Sequence, residues 1–319
     1  MSNSINVVTG GLGYIGQSIV AELVRRGQRA VIVDRRAIPS QVAGVEVIRA
    51  DVRESAAWES FQDHPIGAVF HCAGLIQVGE SVSEPARYFD DNIAAGIAML
   101  EHLRGLGPIP VIFSSSAAVY GIPESTPIPE TAPLNPLSPY GTTKRQFEEI
   151  LAAYHHAYGY PFVALRYFNA AGSDGFVREN HEPETHLLPR VAHWIATGQA
   201  PVVYGRDYPT PDGTAIRDYV HIRDLVEAHL AARDYLQAGG DSSVINLGSG
   251  RGTSVLEMME AFRRVVPDMP SPRFVERRPG DPPILVADVG RARRLLDWEP
   301  RHSDVDRIVS EVWGAVERP

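Results

Sequence analysis

The chain has 319 residues, a formal net charge of -9 at pH 7, and 44% hydrophobic against 22% charged residues. That balance excludes a disordered or fibrous chain, and the length suffices for one large domain or two smaller ones. The acidic balance argues against nucleic acid or an anionic membrane as partner, while leaving room for a local basic pocket that binds phosphates.

Met1-Ser-Asn-Ser has no basic start and leads straight into a β-branched run, Ile5 to Thr9. No apolar stretch of about 18 residues occurs, so neither secretion nor membrane spanning is expected. Further short β-branched runs follow at Ala30 to Asp34, Val45 to Arg49, Ala68 to Cys72, Val111 to Ser114 and Phe162 to Arg166, with helical patterns between them. Such alternation predicts a parallel sheet covered by helices on both faces, a doubly wound α/β fold. The first helix is expected over Tyr14 to Arg26, with Ile15, Ile19, Leu23 and Val24 on one stripe and a stop at Gly27. Cys72, the one cysteine, lies in the apolar run Ala68-Val-Phe-His-Cys-Ala73 and reads as a small buried hydrophobe; no internal disulfide is possible, and a reducing cytoplasm is the expected location.

After Asn169 the character changes, with many Pro, Gly and His residues up to Asp218, then a helix (Asp224 to Leu236) and a strand (Val244 to Leu247). The remainder opens with a helix whose N-cap is Thr253 or Ser254, with Glu257 as capping-box partner. The expected organisation is therefore interrupted: residues 1–168 plus about 215–250 form a dinucleotide-binding domain, and about 169–214 plus 251–319 a substrate domain.

Thr9-Gly10-Gly11-Leu12-Gly13-Tyr14-Ile15-Gly16 joins the first strand to the first helix. Glycines at 10 and 13 let the backbone turn tightly against a pyrophosphate, Gly16 lets helix and strand pack closely, and the helix N-terminus offers N–H groups to the anion. Asp34 closes the second strand, where a carboxylate accepts both hydroxyls of an adenosine ribose, which favours NAD; Arg35 and Arg36 follow it, and a 2′-phosphate is the alternative they would serve. Asp51, after the third strand, either holds the adenine amino group or caps a turn.

Tyr140-Gly-Thr-Thr-Lys144 places a phenol and an ammonium on one face of a helix that begins after Pro139. A neighbouring cation favours the phenolate and makes a base able to take a proton from an alcohol. The run from Ser114 to Gly121 brings hydroxyls to the carboxyl edge of the sheet, where such folds bind ligands, and Ser116 is placed to share a substrate hydroxyl with Tyr140; a plain strand-ending turn is the competing reading.

With these residues in view the chain resembles the UDP-glucose 4-epimerases, of the extended short-chain dehydrogenase/reductase family, almost from end to end. The stretches that carry the likeness are 9–16, Ala73-Gly-Leu-Ile-Gln-Val-Gly-Glu-Ser81, Phe113-Ser-Ser-Ser116, Tyr140 to Lys144, Leu165-Arg-Tyr-Phe-Asn169, His181-Glu-Pro-Glu-Thr-His-Leu187, Tyr208-Pro-Thr-Pro-Asp-Gly213, Arg217-Asp-Tyr-Val-His221 and Arg277-Arg-Pro-Gly-Asp281. The resemblance implies a Rossmann domain with bound NAD, catalysis by Ser116, Tyr140 and Lys144, and inversion of the C4 hydroxyl of a UDP-hexose through a 4-keto sugar. It implies cofactor contacts from Gly10, Leu12, Gly13, Tyr14, Ile15, Gly16, Asp34, Asp51, Val52, Cys72, Ala73, Gly74, Asn92, Ser114, Tyr140, Lys144 and Tyr167. For the substrate it implies Ser116, Tyr140 and Phe168, with Asn169, Arg217 and Arg278 near the diphosphate, Asp281 on the ribose, Val202 and Tyr204 beside the base, His186 and Leu187 near the sugar, and Leu285 where side-chain size governs N-acetyl groups. No metal is implied, and a homodimer through helices near 92–104 and 140–158 is.

Two departures stand out: Gln77, where a lysine is often found, and the loop Ser173-Asp-Gly-Phe-Val-Arg-Glu-Asn180. Other nucleotide sugars (UDP-GlcNAc, UDP-pentose, UDP-uronate, TDP-hexose) remain alternatives. A 4,6-dehydratase is disfavoured, because Ala117 and Ala118 follow Ser116 where elimination needs acidic residues. A cofactor-releasing dehydrogenase and, outside enzymes, an NAD-sensing binding protein complete the alternatives; the intact Ser116, Tyr140 and Lys144 set speaks against the sensor.

Overall fold

The computed structural model describes residues 4–175, 184, 186–278 and 280–316. In chain order these form β1 (Ile5–Thr9), α1 (Tyr14–Arg25), β2 (Ala30–Val33), β3 (Glu46–Ile48), β4 (Ile66–His71), α2 (Val78–Ser83), α3 (Pro85–Phe89), α4 (Ala95–Arg104), β5 (Val111–Ser116), α5 (Pro139–Tyr158) and β6 (Phe162–Tyr167). There follow β7 (Asn169–Ala171), α6 (Leu187–Ala196), β8 (Val202–Tyr204), β9 (Ile216–Arg217), β10 (Tyr219–His221), α7 (Ile222–Gln237), β11 (Ser243–Leu247), β12 (Thr253–Ser254), α8 (Val255–Val265), β13 (Arg273–Val275), β14 (Ile284–Leu285), α9 (Gly290–Leu296) and α10 (Val305–Gly314).

A seven-stranded sheet in the order β11-β6-β5-β4-β1-β2-β3 runs parallel throughout. Both its faces are covered, and alternate residues serve opposite cores: Val8, Ile32, Phe70 and Ile112 face one, Val7, Val31, Val69 and Val111 the other. This is the doubly wound Rossmann architecture expected from the alternating pattern. β5 runs two residues beyond its expected end, because Ser115 and Ser116 still pair with Arg166 and Tyr167 of β6.

The stripe of α1 is displaced by one position from the expected set. Ile19, Val20 and Leu23 are buried, Ile15 is half-buried and Val24 is exposed, so Val20 takes the inward place assigned to Val24. Gly27, at φ +68°, then turns the chain out of the helix. Ser254 is the N-cap of α8, with a complete capping box through Glu257.

A smaller lobe gathers around a third core, in which Leu188, Val191 and Ile195 of α6 meet Met258, Met259 and Phe262 of α8 and Ile308 and Val309 of α10. Its strands are short: β12-β9-β14 form one sheet, while β10-β7 and β13-β8 pair separately. β11 returns to the large sheet beside β6, so the chain crosses between lobes more than once. Among the described residues no helix is long and apolar enough to cross a membrane.

Candidate active site

One cleft of about 1680 Å³ opens along the carboxyl ends of β1, β4 and β5 and continues between the large sheet and the smaller lobe. At one end lies the glycine turn. Gly10 has φ +67°, and a Cβ there would stand 2.6 Å from the Ala73 nitrogen; a Cβ at Gly16 would stand 2.4 Å from the Gly10 carbonyl oxygen. Position 10 therefore demands glycine for conformation and space, and position 16 for helix-to-turn packing. Gly13 caps α1 without a side chain, leaving the start of the helix open to an anion. The residues thus fit a dinucleotide: an anion-binding helix start, a turn with no side chains in the way, and carboxylates beyond it.

Those carboxylates are Asp34 and Asp51. Asp34 is buried, and its oxygens accept the Leu12 and Arg36 backbone N–H groups and the Arg36 guanidinium. Burial works to raise its carboxyl, but the Arg36 contacts outweigh that and hold it below its ordinary value. Asp51 is held low chiefly by hydrogen bonds from Arg53. Arg35 turns away to the carboxylate of Asp91, at 2.8 and 2.9 Å, so the two consecutive arginines have different jobs.

In the middle of the cleft sits α5. Ser138 caps it by accepting from the Gly141 N–H, and Pro139 occupies its first turn, where a missing N–H costs nothing. Tyr140 and Lys144 follow one turn apart. The Lys144 ammonium is buried, donates to the Ser114 carbonyl oxygen at 2.9 Å and lies 4.9 Å from the Phe113 ring and 5.8 Å from the Tyr140 ring. Burial lowers it to about 8, against the pull of Cys72 and Glu148. Burial likewise raises the Tyr140 phenol, and the hydrogen bond it shares with Ser116 works the other way. The phenol thus sits above its ordinary value where a neighbouring cation leads one to expect it below, because desolvation dominates and the one opposing effect comes from Ser116. Ser116 also accepts from the Ala118 N–H, which fixes its side chain at the strand end.

Behind these groups α5 is pinned to the sheet. Glu148, a turn beyond Lys144, accepts from Ser115 Oγ and from the fork of Arg166, with the closest guanidinium contact at 2.6 Å, and both charged side chains are almost fully buried. A buried pair this well satisfied fixes the register of α5 against β5 and β6 more than it adds stability. On the other side Cys72 accepts from Ser114 Oγ, and burial raises its thiol to about 11, consistent with a packed, unreactive cysteine. Tyr167 Oη contacts both Ser114 Oγ and His229 Nε2.

The far end belongs to the smaller lobe. Arg217 donates to Asp281 at 2.6 Å, and Tyr208 Oη reaches the same carboxylate. The Arg278 guanidinium lies 4.2 Å above the Tyr204 ring. Tyr204 is held below its ordinary value chiefly by a hydrogen bond from Arg190, with Arg278 adding to it. The Asn169 amide donates to the Asp218 carbonyl oxygen, and His186 meets Glu184 at 3.0 Å.

Every residue that the resemblance assigns to cofactor or substrate lines this cleft, Asn92 excepted. Asn92 lies in a π-helical turn, Asp90–Ala94, and ties the backbone of Leu75 to the Thr143 hydroxyl. It braces the cleft wall against α5 and does not face the cavity. The wall also contains residues that no motif marks, among them Arg190, Trp194 and Leu137. Arg190 and Trp194 sit in an ordinary amphipathic helix, which signals packing and nothing more. Of the stretches that carry the resemblance, His181, Glu182, Pro183, Thr185 and Pro279 lie outside the described residues, as do residues 176–180 of the departing loop.

A glycine turn with carboxylates beyond it, a tyrosine and serine at the sheet edge, and arginines at the opposite end define an enzyme that uses a dinucleotide to act on an alcohol of an anionic substrate. Comparison with known proteins narrows this class. Residues 6–248 match the NAD dependent epimerase/dehydratase family, and the chain belongs to that family. It is similar to the UDP-glucose 4-epimerase of Streptococcus mutans serotype c, with 41% identity over 318 residues covering 97% of this chain and 95% of that one. Among solved structures, UDP-glucose 4-epimerase from Brucella ovis in complex with NAD matches with a TM-score of 0.94 at 39% identity over 98% of both chains. The enzyme from Bifidobacterium longum in complex with NAD+ and UDP matches with a TM-score of 0.88 at 35% identity over 97% of both.

Proposed function

We infer that this protein is an isomerase that inverts C4 of a UDP-hexose, interconverting UDP-glucose and UDP-galactose with NAD as its cofactor. The observation that carries the reading is the meeting of Tyr140, Ser116 and Lys144 midway along one cleft, between a dinucleotide turn and the Arg217–Asp281 end. Bound NAD+ would supply the redox chemistry at C4, held by the glycine turn, Asp34 and Lys144. Tyr140 takes the O4 proton as the alcohol becomes a ketone and gives it back when the hydroxyl is restored. Ser116 orients O4 toward that phenol. Arg217, Arg278 and Asn169 hold the diphosphate, so the nucleotide stays anchored while the 4-keto sugar presents its other face.

Ala117 and Ala118 carry no acid, which supports inversion over elimination of water. Division of labour follows the two lobes: residues 1–168 and about 215–250 hold the cofactor, Arg217 excepted, and the remainder together with Arg217 holds the nucleotide sugar. A homodimer is supported by Phe89 and Ile97, which are exposed beside α4, and by Tyr158, exposed at the end of α5. A cytoplasmic location is supported by the lone, half-buried thiol, which has no disulfide partner in the chain.

The test is to incubate purified protein with UDP-galactose and UDP-glucose, alongside UDP-GlcNAc, UDP-pentoses, UDP-uronates and TDP-hexoses, and resolve C4 epimers by chromatography. Interconversion of the two hexoses is expected, with Tyr140→Phe slower by about 10²- to 10⁴-fold. Wild-type protein that leaves the whole panel unchanged while retaining NAD would end the enzymatic reading in favour of a sensor.

A further inference from the structure

Asp34 has no acceptor capacity to spare. Its Oδ1 takes the Arg36 backbone N–H and Arg36 Nε, both at 3.0 Å, while Oδ2 takes the Leu12 N–H at 3.0 Å and Arg36 Nη2 at 2.8 Å. An ionised carboxylate offers about four lone-pair sites, and all are used. Two of the donors are backbone groups fixed by the fold. The other two belong to a side chain that is 46% exposed, on a carboxylate that is only 4% exposed.

The guanidinium fork presents two parallel N–H donors, and the 2′ and 3′ hydroxyls of a ribose present two O–H donors with nearly the same spacing. Both need the outer lone pairs of the same carboxylate. Arg36 also lies over the glycine turn, since a Cβ on Gly13 would stand 3.6 Å from Arg36 Nη2. Arg35 does not compete, because Asp91 holds it elsewhere.

We propose that Arg36 is an affinity-determining residue for the cofactor: its guanidinium mimics the adenosine ribose diol on Asp34, and NAD must displace it to bind. The proposal rests on the dinucleotide reading of the cleft. It makes Arg36 a residue whose removal helps binding, the reverse of the usual expectation for an arginine in a pyrophosphate cleft.

The experiment is calorimetric titration of the full chain with NAD+ and with NADP+, using wild type, R36A, R36M, D34N and the D34N/R36A double variant. R36A and R36M should bind NAD+ about three- to tenfold more tightly than wild type, the range set by an ion pair with one partner exposed and one buried. The gain should vanish in the D34N background, since it comes from freeing that carboxylate. It should also shrink as salt rises, because screening weakens the wild-type pair. Unchanged or weaker NAD+ binding by R36A overturns the proposal, and so does an equal gain with Asp34 replaced. Loss of NADP+ binding in R36A with NAD+ binding untouched overturns it too, by assigning Arg36 to a 2′-phosphate. If the chain carries no nucleotide as titrated and no variant, wild type included, binds either one, the dinucleotide reading itself falls.

Discussion

The chemistry of single residues here is governed by burial. Lys144 is lowered to about 8 by desolvation, so its ammonium is the form the fold penalises. The sign follows. Below about pH 8 the buried charge costs stability, and that cost is relieved as pH climbs from about 8 toward the ordinary lysine value, where the unfolded chain still binds the proton and the folded one does not. Function runs the other way: loss of the proton above about pH 8 removes the positive charge that faces Tyr140 and the cofactor side of the cleft. A fall in kcat/KM with its alkaline limb near 8, absent from the pH profile of Lys144→Met, is the expected result. Tyr140 and Lys144 were legible in the sequence because a spacing of four residues has one meaning on a helix. The pairing of Arg36 with Asp34 was not, since two consecutive arginines carry no sign of which will fold back. Nor does its motif match say which groups Asn92 meets, the Leu75 backbone and the Thr143 hydroxyl.

Among the elements, α5 carries most of the site and shows how its position is secured. Ser138 caps its start, while Lys144 on β5 and Glu148 on both β5 and β6 tie two successive turns to the sheet. Removing the cap with Ser138→Ala leaves the Gly141 N–H without its partner in a buried setting. The expected loss is about 1 kcal/mol, read as a lower urea midpoint with an unchanged slope. Helices and strands of the large sheet were readable because their periodicity runs over enough residues to register. The two- and three-residue strands β7 to β10 and β12 to β14 fall below that length, and their pairing depends on partners far along the chain. The misplaced end of the α1 stripe is a finer failure: α1 packs against both the sheet and α7, and that second contact rotates its buried face toward Val20.

At the scale of the whole molecule, one cleft runs from the glycine turn to the smaller lobe. Arg217, on β9, holds Asp281 there. Arg217→Ala should weaken UDP binding by about 10- to 100-fold, the loss of one charge-assisted contact, while NAD+ affinity stays at the wild-type level; calorimetry with each ligand separates the two. An equal loss of both would mean that the lobes do not divide the work. That the large sheet is parallel was foreseeable from the alternation of elements, but its strand order was not, and the return of β11 to its edge shows why a single domain boundary cannot be drawn through the sequence.

The lobes nevertheless touch at one telling point. Tyr14, the first residue of α1, extends its phenol across the cleft to the Gly172 carbonyl oxygen at 2.7 Å, just past β7. The glycine turn at the start of α1 is thereby fastened to the backbone just past β7, and the length of one rigid ring sets the spacing between them.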